Sequence, residues 1–406
     1  MKFLTLSLFL MVLICLLTDS ALVGAEYWIS ADGSVSATGS YDNPFKSINV
    51  ALAKVGGSNT FIFKPGYYNE GQINLWPKYS GSPEHPTTLK SQYKYGAVLN
   101  GSLYHIIDIK EGCKWVVIDG FEICGAMFTG AKIMGDYCVV RNCRLYFNGF
   151  GVQAHDANNI IIIERNLIEF NGKHPQFDHG IYADGNGLII RNNIIRFNSG
   201  CGVHLYPSAV HSLVENNLIY DNHGCGVLFY CPEGGGANRI INNTIADNGS
   251  GIIVKNGRDE IIANNIIWQN GNQPSIQPTF GGTLDNVRIV NNILSPKIDT
   301  AEENLSNDPL FLNPSKGWYF LKENSPARKN GLTKYMPSNN FFGNERKSNA
   351  ESYIGCFEFN ESLLKVETSR DLYLGWSYYG SPTSPRYDLW NLDIYKTDVN
   401  SITMEP

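Results

Sequence analysis

Charge is scarce in this chain. Only 17% of its 406 residues are Asp, Glu, Lys or Arg, against roughly 25% in an average globular protein. The 32 basic and 38 acidic residues nearly balance, leaving a formal net charge of −6. No basic stripe or tail stands out, which argues against nucleic acid as a partner. Cys-x-x-Cys pairs are absent, so a zinc knuckle or thioredoxin-like site is not expected. Helical Ala/Leu/Glu periodicity is weak, and a leucine-rich pattern is missing. What is present is 43% hydrophobic residues, 12% aromatics and 40 glycines. That composition excludes global disorder and points to strands and turns. The length is too great for one ordinary compact domain, unless the fold grows by repetition.

The N-terminus reads as an address. Met1 and Lys2 precede an apolar run from Phe3 to Leu17, and small residues end at Val23-Gly24-Ala25 before Glu26. This is the layout of a secretory signal, with cleavage expected after Ala25; the other reading is a membrane anchor. No second apolar stretch of spanning length follows. The mature protein is therefore expected to be soluble and extracellular, or held at the cell surface, with no membrane contact after cleavage. Eight cysteines remain beyond residue 25. Export permits disulfides, but most of these cysteines read as small apolar fillers. Sequons stand at Asn100, Asn242, Asn248, Asn304 and Asn360.

The middle of the chain repeats. Segments such as Arg165-Asn-Leu-Ile-Glu-Phe-Asn171, Asn192-Asn-Ile-Ile-Arg-Phe-Asn198 and Asn264-Asn-Ile-Ile-Trp-Gln-Asn270 align. The matched positions are Cys143, Asn166, Asn193, Asn217, Asn243, Asn265 and Asn292, separated by 23, 27, 24, 26, 22 and 27 residues. Each unit holds two or three β-branched runs of strand length, split by Asn or Gly. One repeat thus reads as one coil of three short parallel strands. Asn tolerates the left-handed conformation of a sharp bend, and stacked coils about 4.8 Å apart let equivalent asparagines bond up the stack. Two ladders are expected: Asn166 to Asn292, and Asn148, Asn171, Asn198, Asn222, Asn248 and Asn270. Their role is structural rather than catalytic.

At this point the chain resembles the secreted right-handed parallel β-helix superfamily, the pectate-lyase-like proteins. These include polysaccharide lyases, some glycoside hydrolases and mannuronan epimerases. Three stretches carry the likeness. The first is Tyr27-Trp-Ile-Ser-Ala-Asp-Gly33 with Asn43-Pro-Phe-Lys-Ser-Ile48 and Phe63-Lys-Pro-Gly-Tyr67, which looks like the usual opening with a short capping helix around 48–55. The second is the Asn-rich repeat. The third is Asp308-Pro-Leu-Phe311, Ser325-Pro-Ala327 and Ile354-Gly-Cys-Phe-Glu358, which looks like the usual closing segment. The resemblance implies an all-β fold, a single right-handed parallel β-helix over 26–360. Its cap is at about 26–70, its clearest repeats at about 115–295 and its closing segment at about 308–360. An aromatic-rich tail, 361–406, lies outside it and is expected to pack as a cap, or to offer a sugar-stacking surface.

Strand alternation then separates core from face. After the second Asn of each coil, Val152, Ile181, Val203, Val227 and Ile252 point inward, as do Ala154, Ala183, Leu205, Phe229 and Val254. Outward lie Gln153, Tyr182, His204, Leu228 and Ile253, then His155, Asp184, Tyr206, Tyr230 and Lys255. Phe150, His179, Cys201, Cys225 and Ser250 precede them. Six of the eight histidines fall within 155–223. An insert, Gly172 to Asp178, lengthens the turn before His179, as loops that wall a groove do. The spacing of Cys201 and Cys225 would permit a disulfide, but a thiol stack is the expectation.

Such a face suits carbohydrate chemistry. Aromatic rings cover the apolar faces of sugars, His or Tyr can move a proton, and Lys255 can neutralise a uronate carboxylate and acidify its neighbouring C–H. The candidate catalytic residues are His179, Tyr182, Asp184, His204 and Tyr206. His155, Tyr230, Lys255 and Asp178 are candidate substrate contacts. The expectation is an enzyme, a polysaccharide lyase acting on an acidic polymer. A glycoside hydrolase using Asp178 and Asp184, with Glu233 nearby, is the alternative. So is a non-catalytic glycan-binding or structural surface protein. The superfamily makes calcium possible. The acidic clusters match no calcium loop, and the Asp-rich calcium motif of one pectate-lyase family and the Asp-Pro-His-Glu motif of mannuronan epimerases are absent. The metal, the polymer and the oligomeric state stay open.

Overall fold

A computed structural model describes residues 24–358, apart from 103, 158, 175–176, 231–235, 280–281, 299–302 and 347–351. Nearly all of the expected leader, the tail 361–406, Cys231 and Glu233 lie outside the described residues. Three parallel sheets run the length of a right-handed solenoid. The first has eleven strands, from Glu26–Ser34 to Val287–Val290; the second has nine, from Ile73–Leu75 to Ile276–Pro278; the third has ten, from Gly66–Tyr68 to Ile293–Leu294. Each coil contributes one strand to each sheet, as the repeat implied. The α-helix Ile48–Val55 covers the N-terminal end. The Ser47 side chain caps it by accepting from the Val50 N–H at 3.2 Å. Among the described residues no helix is long and apolar enough to cross a membrane.

The core is the inward half of every strand. Val152, Ile181, Val203, Val227 and Ile252 are fully buried, and so are Ala154, Ala183, Leu205, Phe229 and Val254. At about 25 cal/mol per Å² of apolar surface, these continuous columns supply the main driving force. Both asparagine ladders form. Asn193 Nδ2 donates to Ile163 O at 2.8 Å and to Asn217 Oδ1 at 3.0 Å, while its own Oδ1 accepts from Asn166 N and Nδ2, both at 3.0 Å. The second ladder repeats this arrangement from Asn148 to Asn270. The left-handed bend is not at the ladder residues, however. It falls on the residue before each: Asn192, Asn216 and Asn242 before the first ladder, and Phe197, Asp221 and Asp247 before the second. The ladder asparagines satisfy buried polar groups, and their neighbours take the strain. This burial also removes Asn242 and Asn248 as glycosylation acceptors in the folded chain.

Buried charge adds register. On the third sheet Glu169, fully buried, accepts from Arg144 Nε and Arg196 Nε, both at 2.8 Å. The closing segment does not simply stopper the end. Its antiparallel pair Phe311–Asn313 and Trp318–Leu321 lies along the outside of the third sheet, where Tyr319, Phe320 and Phe357 bury Leu218, Tyr220 and Ile266. The outer face of the second sheet is left uncovered by it.

Candidate functional site

The second sheet carries the histidine cluster. Parallel register places Lys132, Gln153, Tyr182, His204 and Leu228 in one outward column. The glycine that opens each strand is required by close approach. A Cβ on Gly180 would meet Gly202 O at 2.7 Å and Asn198 Nδ2 at 2.9 Å. With Ala154 opposite Ala183, His155 stands beside Asp184, and its Nδ1 comes to 3.6 Å from Asp184 Oδ2. Further on the pairing slips, so that Ala157 rather than residue 156 faces Gly185.

The rings form one continuous strip. His155 and Tyr182 have centroids 5.2 Å apart, Tyr182 and His204 5.2 Å, His204 and Tyr206 5.5 Å, and Tyr206 and Tyr230 5.3 Å. Phe150 joins at 5.7 Å from Tyr182, and Lys255 Nζ stands 4.6 Å from the Tyr230 ring centroid. Tyr206 is 38% exposed, whereas Asp184 and His179 are buried. Eight of the nine sequence-derived candidates thus lie together. Asp178 does not join them. Its Oδ2 accepts from Lys173 N at 2.8 Å and His174 N at 2.9 Å, holding the insert in shape. Asp178 precedes the strand Ile181–Gly185 and Asp184 lies near its end, so the carboxylate that a hydrolase would pair with Asp184 is committed to the insert.

Hydrogen bonding fixes the tautomers of the central pair. The Cys201 backbone N–H donates to His179 Nδ1 at 3.0 Å. A neutral imidazole carries one N–H, so His179 holds its proton on Nε2. That atom is 2.8 Å from His204 Nδ1, which must accept. The His204 proton then sits on Nε2. Burial pushes His179 down to about 4, partly opposed by Asp178, and burial followed by the His179 charge takes His204 down to about 3. Both rings are neutral near pH 7, and His204 presents a donor rather than a base. Burial, then Asp184 and Tyr206, raises the Tyr182 hydroxyl above its ordinary range. Cys201 and Cys225, beside this pair, are joined by a disulfide with Cα atoms 4.4 Å apart. That corrects the thiol-stack expectation: facing positions on adjacent coils are close enough to bridge. Cys113, Cys124, Cys138, Cys143 and Cys356 are free and buried.

Sequence reasoning named Gln153 and Phe150 without giving them a role, and it passed over Lys132 and the Cys201 N–H. Lys132 lies in the coil before Asn148, where Ala126 holds the ladder position and its N–H donates to Asn148 Oδ1. The strand Thr129-Gly-Ala-Lys-Ile133 still aligns with Phe150-Gly-Val-Gln-Ala154 and was the available signal. Among the described residues no three His, Cys, Asp or Glu side chains converge as a metal site.

Residues 89–233 and again 180–317 match the family described as right handed beta helix region. Together these matches cover more than half of the chain, which belongs to that family. Pectate lyase PEL9 of Emericella nidulans is 24% identical over 183 residues, 41% of this chain and 43% of that protein's length. The chain therefore aligns with less than half of that relative. The solved structure of pectate lyase Pel9A superposes with a TM-score of 0.60 at 18% identity, covering 84% of this chain and 98% of that one. The A-module of the Azotobacter vinelandii mannuronan C-5 epimerase AlgE6 gives 0.45 at 18% identity, over 61% and 80%. The structural likenesses are likenesses of fold.

Proposed function

We propose that this chain is an exported enzyme that cleaves an acidic polysaccharide by β-elimination on the outer face of the second sheet. One observation carries the reading. Two histidines of opposite hydrogen-bonding sense flank Tyr182. His155 turns Nδ1 towards Asp184, which leaves Nε2 as an acceptor. His204 has Nδ1 occupied by His179, which leaves Nε2–H as a donor. Each ring centroid is 5.2 Å from that of Tyr182, so a sugar lying on Tyr182 reaches both. The pectate lyase relative supports the polymer class.

In this reading the roles among the candidates change. His204 Nε2–H holds the uronate carboxylate and stabilises charge as it grows there, while Lys255, two strands further on against Tyr230, takes the carboxylate of a neighbouring sugar. His155 Nε2 takes the C5 proton, with Asp184 orienting the ring and stabilising the imidazolium. The C–H electrons form the C4–C5 double bond, the C4–O bond breaks, and the departing oxygen takes a proton from Tyr206. Water returns the two proton carriers to their starting states. The 3.6 Å between His155 and Asp184 is loose for a hydrogen bond, as such contacts often are without substrate. The test is ultraviolet absorbance of the unsaturated product when the purified chain meets polygalacturonate, polymannuronate and neutral glycans. Rising absorbance with a uronate polymer, lost in His155→Ala, is expected. New reducing ends without absorbance would mean hydrolysis instead, and no products at all would favour a glycan-binding surface.

A further inference from the structure

The second sheet continues N-terminal to the histidines, and that stretch has a distinct character. Tyr104 and Phe128 occupy equivalent turns on neighbouring coils at the border of the sheet. Their rings stack 5.8 Å apart and within 7° of parallel, yet they are 60% and 48% exposed. Two stacked, exposed rings form a flat apolar platform of the kind that covers a sugar face. The strand that leaves Phe128 carries Lys132 four residues on. Lys132 is half-buried, and among the described residues no carboxylate lies within ion-pair distance of it. Its column neighbours are already committed. Asp108 Oδ2 takes Lys110 Nζ and the Gln72 amide, and Gln153 Oε1 takes the Thr129 hydroxyl.

Two buried polar atoms beside it lack partners: Asp108 Oδ1, on a residue only 2% exposed, and His105 Nδ1. Such groups are costly unless something fills them. Phe128 and Lys132 are about 13 Å apart along the extended strand, and the lysine stem reaches back over part of that. One pyranose therefore fits between ring platform and ammonium. Burial lowers the His105 imidazole, with Asp108 opposing and Lys132 and Lys110 assisting, so among the described residues of this stretch Lys132 supplies the cation without an ion-pair partner.

We infer that Tyr104, Phe128 and Lys132 form a uronate-binding subsite, with the two rings covering the sugar face and Lys132 taking its carboxylate. The inference rests on the glycan-cleaving reading and deepens it. The site accepts a polymer along the solenoid axis, anchored by a charged residue one to two coils before the bond that breaks.

The experiment is calorimetric titration of the full chain with oligogalacturonate and with its methyl ester, for wild type, Lys132→Met and Phe128→Ala. Losing one charge-assisted contact should weaken oligogalacturonate binding roughly tenfold or more in Lys132→Met. The methyl ester, which has no carboxylate, should bind that variant as it binds wild type. Phe128→Ala should weaken both. A Lys132→Met protein that binds oligogalacturonate like wild type, or loses both ligands equally, overturns the subsite while the catalytic reading stands. Wild type that binds neither these oligomers nor oligomannuronate overturns both. His155→Ala, which removes the base, should leave the Lys132-dependent difference intact.

Discussion

Protonation of the histidine pair should be visible in the stability of the whole chain. His179 is buried and its folded-state value lies at about 4, against 6.5 for a free imidazole. The unfolded chain therefore binds the proton first as pH falls. The sign is fixed by this: the contribution is fully present above about pH 6.5 and is lost as pH drops towards 4. Each tenfold change in proton affinity is worth about 1.4 kcal/mol, so His179 alone should remove about 3 kcal/mol by pH 4. His204 works in the same direction and is coupled to it. Glu70 works against them. Burial raises its carboxyl to about 7, with the Ile48 and Asn49 N–H groups opposing, so its stabilisation is present at low pH and is lost as pH rises through 7. The clean measurement is a difference between proteins. Urea midpoints should be taken from pH 7.5 to 4.5 for wild type and for His179→Asn. Asn keeps an acceptor for the Cys201 N–H and cannot titrate, and Glu70 cancels. Wild type should lose stability more steeply on acidification, the gap between slopes opening below about pH 6.5. Parallel curves would refute the buried neutral pair, and with it the assignment of His204 as a fixed donor.

Four further outcomes follow from the same contacts. Asp184→Asn should lower turnover roughly tenfold or more with little change in binding, because it weakens the orientation and charge support of His155 rather than a sugar contact; steady-state kinetics on the responsive polymer check this. Asn217→Ala should destabilise the fold by about 3–5 kcal/mol in urea unfolding, since it strips partners from Ile190 O, Asn193 and Asn243 in a dry interior. Glu169→Gln should cost a similar amount, about 3–5 kcal/mol, by leaving the buried Arg196 and the half-buried Arg144 beside a neutral group. Alkylation without reductant followed by peptide mapping should find Cys201 and Cys225 protected as a pair, and Cys113, Cys138 and Cys143 reactive only after unfolding.

Most of the architecture was legible because the solenoid repeats its solutions. Asn193 and Asn217 face the same problem one coil apart, so the same residue answers it, and the period of the answer is the period of the fold. The inward columns were legible for the same reason: a parallel strand stacked on its copy cannot change faces without losing its core. What escaped were features set by relations between coils rather than by repetition. The left-handed residue precedes the ladder residue, and Phe197 or Asp221 fills that place as readily as Asn192 does, so composition did not point to it. The bulge after Ala154 is an insertion relative to one neighbour only.

The division of labour between the histidines was hidden for a deeper reason. His179 and His204 are the same residue type on adjacent strands of one face, and the sequence offers no ground for separating acid from base. The ground is a main-chain atom. The Cys201 N–H is committed to His179 Nδ1, and every later proton position follows from that single donation. The chemistry open to this face is thus decided by the parallel pairing of the strands Ile181–Gly185 and Val203–Leu205, which sets His204 beside Tyr182 on the outer face and brings its Nδ1 to the His179 Nε2–H that the Cys201 N–H has fixed.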